Sequence, residues 1–411
     1  MHRASMTKLG PFTLTAALLL AACGGATAKQ APITTSTTST TSTTSTTSTT
    51  STTSTTSTTT TIPSTTTTTT PTTLLQTTTT IRDLTWISYL TGWAIGTVAC
   101  PSGSCGAIFS TTNGGKSWSQ ATSPAPVNSY THIRFANSND GYIWGVGANQ
   151  LYVTTDGGTT WTKQTAPWII DLEPIAGTVF RMITVGLPGP AELQVSSPGS
   201  PSWTTTALGA NSGFFGAQIL AANSKNIYIA FPGHTAGGSS NAHTVFARSD
   251  GGGASTWVNF NDPCGGTGSA EQDAVVYAAG PGSAFGVICY ARQGFTPVSL
   301  RLSQFAGNSF SPPIKLPPLP AGNLSLALPA PGTVVIADSN PSGPSAVYTS
   351  VDGGATWKNT LTFDGPAING SDPTPWLGFE DTETGRVEFG TTNQIWTTSD
   401  GGTTWTATPV P

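Results

Sequence analysis

Charge is the scarcest commodity in this 411-residue chain, in which 15 Lys and Arg and 19 Asp and Glu make up only 8% of the residues. A formal net charge of −4 spread so thinly excludes the basic face of a nucleic-acid binder. Between Asp83 and Asp140 there is no acidic residue at all, and Met occurs only 3 times. The apolar run around Phe12 to Ala22 is too short for a comfortable membrane span. Cysteine is sparse too, at 5, which rules out a small disulfide-dense scaffold. What the chain has instead is 47 Gly, 31 Pro and 12 Trp, the composition of an exported β-protein rich in turns.

A short phrase returns along the sequence: TTNGGKSW ends at Trp118, TTDGGTTW at Trp161, SDGGGASTW at Trp257, SVDGGATW at Trp357 and TSDGGTTW at Trp405. Asn113, Asp156, Asp250, Asp352 and Asp400 each offer a side-chain acceptor to turn amides, and the following Gly-Gly accepts positive φ. Strand-like runs such as LYVTT and QIWTTS precede the phrase and alternating Thr and Trp follow it, so it reads as a hairpin turn whose Trp packs between neighbouring sheets. This turn chemistry accounts for the repeated acids, which are expected at blade edges rather than at a calcium or acid/base site.

Asn113 to Asp156 spans 43 residues and Asp352 to Asp400 spans 48, whereas the two intervals between them are 94 and 102. Two boxes are therefore expected in degenerate form, at SSPGSPSW (Ser196 to Trp203) and SQFAGNSF (Ser303 to Phe310). A second periodicity agrees. Paired apolar strands start near Leu84, His132, Leu172, Ala217, Ala274, Leu324 and Trp376, one pair ahead of each box. Seven units of four short strands predict an all-β fold, a seven-bladed β-propeller over residues 81–411. Blade one already holds four strands and the chain ends on the outer strand TWTATPV, so closure is expected without a strand exchanged between the termini.

Ahead of the propeller, residues 1–22 read as a signal peptide, with basic Arg3 and Lys8 and then LAAC at Leu20 to Cys23. This resembles a bacterial lipoprotein signal, which implies lipid attachment at Cys23; the alternative is an ordinary secretory peptide. Residues 23–80 carry an almost pure Thr/Ser tract from Thr34, broken by Pro63 and Pro71, with too little apolar surface to order. As a coil it would span roughly 35 to 40 Å, making it a stalk. The four remaining cysteines suit an oxidising compartment and pair as Cys100 with Cys105 and Cys264 with Cys289; a metal site at the first pair is the less favoured reading.

The box, with the strands GWAIG and DGYIWG, resembles the Asp-box or BNR-repeat propellers, and within them the bacterial relatives of the photosystem II stability and assembly factor. Gly92-Trp93-Ala94-Ile95-Gly96 followed by Thr111 to Trp118 carries the resemblance, which extends over Ile81 to Pro411. It implies the fold and leaves the function open, since the same box occurs in sialidases, other glycosidases and sortilin-like receptors.

Three functions follow as expectations. The first is a non-catalytic, monomeric module, with no metal or cofactor, that binds a protein or glycan partner at the cell envelope and touches the membrane only through its anchor. The second is a sialidase-like glycosidase, which would need an arginine cluster, a Tyr with its Glu and an early Asp. Arg82, Arg181, Arg248, Arg292, Arg301, Arg386, Glu173 and Glu192 are the scattered candidates, and the acid expected in blade one is missing. The third is photosystem assembly, for which the arginine cluster of those relatives has no counterpart by sequence.

Smaller signals are His234 and His243 around a Gly/Ser loop, read as solvated rather than metal-binding, and Glu380, Asp381, Glu383 and Glu388, an acidic patch on a hairpin that could hold a cation or simply face water. The stretch PPIKLPPLP (Pro312 to Pro320) reads as a stiff connection into blade six.

Overall fold

The computed structural model of the protein describes residues 79–410 apart from 102, 125–129, 146–149, 185–190, 207, 209–217, 222–226, 232–243, 250–256, 262, 266–270, 282–283, 292–295, 304–308, 320–321, 341–342, 365–373 and 390–393. The signal peptide, Cys23, the stalk, Asp250, Arg292 and the loop bearing His234 and His243 lie outside the described residues.

Seven four-stranded antiparallel sheets follow one another along the chain, each built from four consecutive strands. The protein is an all-β, seven-bladed β-propeller. The first strands are Thr80–Trp86, His132–Phe135, Trp168–Ile175, Gln218–Ala221, Glu271–Ala279, Asn323–Ala327 and Trp376–Phe379. From blade one through blade seven each packs against the first strand of the next, which sets these strands around the axis. The last sheet consists of Trp376–Phe379, Thr384–Glu388, Gln394–Ser399 and Thr406–Pro409, all from the end of the chain. No strand is exchanged between the first and last blades among the described residues.

Apolar side chains alternate along these strands and face both neighbours of a blade, because every sheet is covered on two faces. The result is seven buried clusters, one at each junction. Trp93, Ile95 and Ile108 of blade one meet Ile133 and Ile143 of blade two, and around the ring Ile395 and Val410 of blade seven meet Ile81, Ala94 and Phe109 of blade one. The box aromatics edge these clusters in rotation: Trp161 at the junction of blades one and two, Trp203 at two and three, Trp257 at three and four, Phe310 at four and five, Trp357 at five and six, Trp405 at six and seven, and Trp118 at seven and one. The two degenerate boxes therefore keep the aromatic position after losing the acid.

A further local rule sits at the inner hairpins. Phe135 lies over Gly141 and Phe379 over Gly385, with any Cβ at either glycine meeting the ring at 2.5 Å. In both hairpins the glycine thus stands directly opposite the aromatic that ends the first strand, which pins the register.

Two expectations need correction. PPIKLPPLP is not only a connection: Ile314–Lys315 pairs with Ser299 and Leu300 as the outer strand of blade five, because Ile314 finds an apolar place beside Trp357. The acidic patch of blade seven is not uniformly exposed. Glu388 is buried and the Glu380 side chain is only 7% exposed, paired with Arg386, which leaves Asp381 and Glu383 in the open turn.

Candidate functional site

At the described boxes one hydrogen-bond pattern repeats. Thr154 donates its hydroxyl to Asp156 Oδ1 at 2.8 Å and accepts from the Gly158 N–H at 2.9 Å. The Thr160 N–H and hydroxyl then donate to Oδ1 and Oδ2 at 2.8 and 2.6 Å. Ser350, Asp352 and Thr356 repeat it, as do Thr398, Asp400 and Thr404. Asn113 keeps most of it, accepting at Oδ1 from the Thr111 hydroxyl and the Ser117 N–H, but its Nδ2 donates to the Ser117 hydroxyl where an aspartate accepts. The Thr356 hydroxyl and N–H, with Ser350, hold Asp352 down to about 2, so this carboxylate is ionised and fully occupied by its own turn. The turn is then tied to the preceding blade: Trp161 Nε1 donates to Thr122 O and Trp357 Nε1 to Lys315 O, both at 3.0 Å. In the degenerate box at Ser196, where Pro198 stands in the acid's place, Ser196 Oγ donates to Ser202 O at 2.7 Å and Gly199 N–H donates to the Tyr142 hydroxyl at 2.9 Å.

Two disulfides pair the four described cysteines. Cys100 and Cys105 bridge the hairpin between the second and third strands of blade one, and Cys264, beyond the outer strand of blade four, reaches Cys289 in the second strand of blade five.

The charged residues that matter to the axis lie elsewhere, on the first strands of blades one, two and three. Asp83 is buried at a bulge in its strand. Its Oδ2 accepts from the Ile133 N–H at 3.1 Å and from Arg134 Nη1 at 2.6 Å, while His132 Nδ1 stands 3.5 Å away. Arg134 then reaches forward, donating Nε to Glu173 Oε2 at 2.8 Å. Asp171 repeats the role of Asp83 two junctions on, with Oδ2 accepting from the Ile219 N–H at 2.7 Å. Each of these aspartates also accepts from the next residue's own N–H, at 2.9 Å in both cases. An aspartate on an inner strand thus satisfies a backbone donor of the following blade, which open sheet edges at the axis otherwise leave unpaired.

Burial pushes the Asp83 carboxyl up, but Arg134, His132 and the Ile133 N–H outweigh it and hold Asp83 below the usual carboxylate range. Arg134 is held firmly charged because Asp83 and Glu173 overcome the cost of its burial. Asp171 is raised by burial. Burial also pushes Glu173 up to about 7 against the pull of Arg134, and nearby Asp171 adds to the rise.

Beside this cluster opens a cavity of about 1320 Å³, larger than the roughly 300 to 1,000 Å³ usual for small-molecule sites. The first strands of blades three to seven contribute Glu173, Gln218, Tyr277, Ser325 and Phe379 to its wall, and the blade-seven turn adds Asp381.

The arginines singled out from sequence do not gather here. Arg181 lies over the Trp203 ring at 3.8 Å with Nε donating to Gln194, and Arg386 lies over Trp86 at 3.5 Å in blade seven's junction with blade one. Arg301 faces Ser311 in blade five. Of the residues weighed in sequence only Glu173 belongs to the axial cluster; Asp83 marked a gap in acids, and His132, Arg134 and Asp171 drew no functional reading. Their signal is visible in retrospect as charge on strands that are otherwise apolar, in a chain with little charge to place. Among the described residues no group of three or more His, Cys, Asp or Glu is arranged to hold a metal ion.

No protein-family model matches this chain, and no curated protein does. Solved structures do. YCF48 bound to D1 peptide is 18% identical with a TM-score of 0.52, covering 80% of this chain and 93% of its own. YCF48 from Cyanidioschyzon merolae is 13% identical at TM-score 0.49, with 80% and 95% covered. A virginiamycin B lyase from Staphylococcus aureus, an inactive H270A form with quinupristin, is 10% identical at TM-score 0.50, with 79% and 97% covered. At these identities the likeness is one of fold alone.

Proposed function

We propose that this protein is a non-catalytic binding scaffold: a β-propeller displayed outside the cytoplasm that holds a protein or glycan partner at the cell envelope. The observation that carries the reading is the axial cavity, too large for a single small ligand and walled by polar and apolar side chains on rigid inner strands. The ion cluster beside it supports the same view. Arg134 is committed to Asp83 and Glu173, and the box acids are committed to their own turns, so these groups are spent on architecture. The fold's occurrence in YCF48, which is seen bound to a peptide, is consistent with a protein partner.

Export and anchoring belong to the same proposal. The two disulfides suit an oxidising compartment. Residues 1–22 would be a signal peptide, Cys23 the lipid-bearing residue, residues 23–80 the stalk and residues 81–411 the propeller, acting as a monomer. The resemblance to Asp-box propellers gives these turns their structural role and is part of this reading.

The test is capture from the native envelope with the full chain as bait, with a panel of fluorogenic sialosides and glycosides run on the same sample. A saturable partner without turnover is expected. Hydrolysis that tracks the purified protein would make it an enzyme instead and overturn the scaffold reading.

A further inference from the structure

The axial cavity has a marked charge asymmetry. Among the described residues of its wall, Glu173, Glu380 and Asp381 are acidic and none is Lys, Arg or His. Behind the wall the imbalance continues, since Arg134 and His132 are set against three carboxylates, Asp83, Asp171 and Glu173. A carboxylate crowded by other carboxylates and by low-dielectric protein is an incomplete ion pair, and an arriving cation completes it.

A second observation points the same way and does not depend on counting acids. Glu380, part of the cavity wall, gives Oε1 to Arg386 but leaves Oε2 buried without a hydrogen-bond partner, in a side chain only 7% exposed. Native proteins rarely leave such an atom unpaired unless a ligand or water completes it.

The wall also has an apolar part, with Leu326, Leu377 and Phe379 facing the same space as the acids. Aliphatic surface ending in carboxylates suits a long side chain with a charged tip, because the stem is buried while the head is neutralised. We propose that the axial cavity accepts a lysine or arginine side chain from a segment of a partner protein, an inference that rests on the binding-scaffold reading. The size of the cavity fits a peptide segment of several residues better than an isolated amine. Glu173 receives the cation with Oε1, since Oε2 is held by Arg134.

The test uses the full chain and three fluorescein-labelled peptides on one apolar framework, carrying central lysines, norleucines or glutamates, read by anisotropy. The lysine peptide is expected to bind at least about tenfold more tightly than the glutamate peptide, and to weaken as salt is raised. Glu173→Gln should weaken it several-fold. Gln218→Lys puts a positive charge at an exposed wall position, where folding is not at stake, and should abolish the preference. Binding should also strengthen from about pH 6 to about pH 8, as Glu173 ionises opposite Arg134, His132, Asp83 and Asp171. Equal binding of all three peptides, or preference for the acidic one, overturns the cationic inference while leaving a binding scaffold in place. Binding of none of them while envelope capture succeeds also overturns it. Failure of both capture and peptide binding removes the scaffold reading itself.

Discussion

Asp338 is the residue whose chemistry is least at ease in the fold. It is fully buried on the second strand of blade six, and neither carboxylate oxygen has a hydrogen-bond partner. Burial pushes its pKa up to about 7. The native state therefore holds a proton that the unfolded chain releases near the ordinary value of 3.8, so stability falls as pH rises between these values and the cost is complete above about 7. Asp338→Asn should raise the unfolding midpoint at about pH 8, by a stability increment on the order of 3 kcal/mol, and change little at about pH 4. Thermal melts of both proteins across that range check it; an increment independent of pH would assign the effect to packing. At Gly354 backbone geometry decides instead. Its φ is +89° and an added Cβ would meet Ile314 Cγ2 at 2.7 Å, so Gly354→Ala should cost about 1 to 3 kcal/mol by chemical denaturation, where a mid-strand Gly→Ala is neutral or better.

At the scale of the element, the box turn is a clip between blades. Its acid organises the loop, its glycines take positive φ, and its tryptophan reaches the previous blade. Trp357→Phe keeps the ring's place at the junction of blades five and six but removes the hydrogen bond from Nε1 to Lys315 O. A loss of about 1 kcal/mol is expected in equilibrium unfolding, together with faster amide exchange in the short outer strand Ile314–Lys315. Unchanged exchange there would mean that the indole contributes area alone. These clips are why the fold was legible in the sequence: turn chemistry and an aromatic at fixed spacing are local, and even Trp203 and Phe310 could be placed by counting. The outer strand Ile314–Lys315 was not legible, because two residues among prolines carry no periodicity and are paired only once Ser299 and Leu300 are beside them. The axial cluster was hidden for a similar reason. Asp83, Arg134 and Glu173 are each about 40 to 50 residues from the next, and only the stacking of first strands brings them together.

For the whole molecule the question is what holds a ring shut when, among the described residues, no strand crosses its seam. The apolar cluster between blades seven and one supplies contact area, as at every other junction. What is particular to the seam is Arg386. It is 1% exposed, pairs with Glu380 on its own blade, lies 3.5 Å from the Trp86 ring centre and donates Nη2 to Tyr89 O at 2.7 Å, both of the latter in blade one. A single side chain thus spans the two ends of the propeller, with a cation–π contact and a charge-assisted hydrogen bond in place of shared strand pairing. Arg386→Met would keep much of the volume and remove both, leaving Glu380 buried without its partner. That uncompensated group costs roughly 3 to 5 kcal/mol where it stays ionised. Because burial already raises Glu380 to about 7, the loss should be smaller in mild acid and grow as pH rises. Hydrogen exchange should accelerate first in Thr80–Trp86 and in Trp376–Phe379, the strands on either side of the seam, while blades three to five keep their protection. The double change Arg386→Met with Glu380→Gln should recover part of the stability, since the stranded charge is gone, yet leave the seam's exchange fast. If the single variant instead loosens all seven blades equally, the ring is closed by its apolar clusters alone and Arg386 is an ordinary buried ion pair.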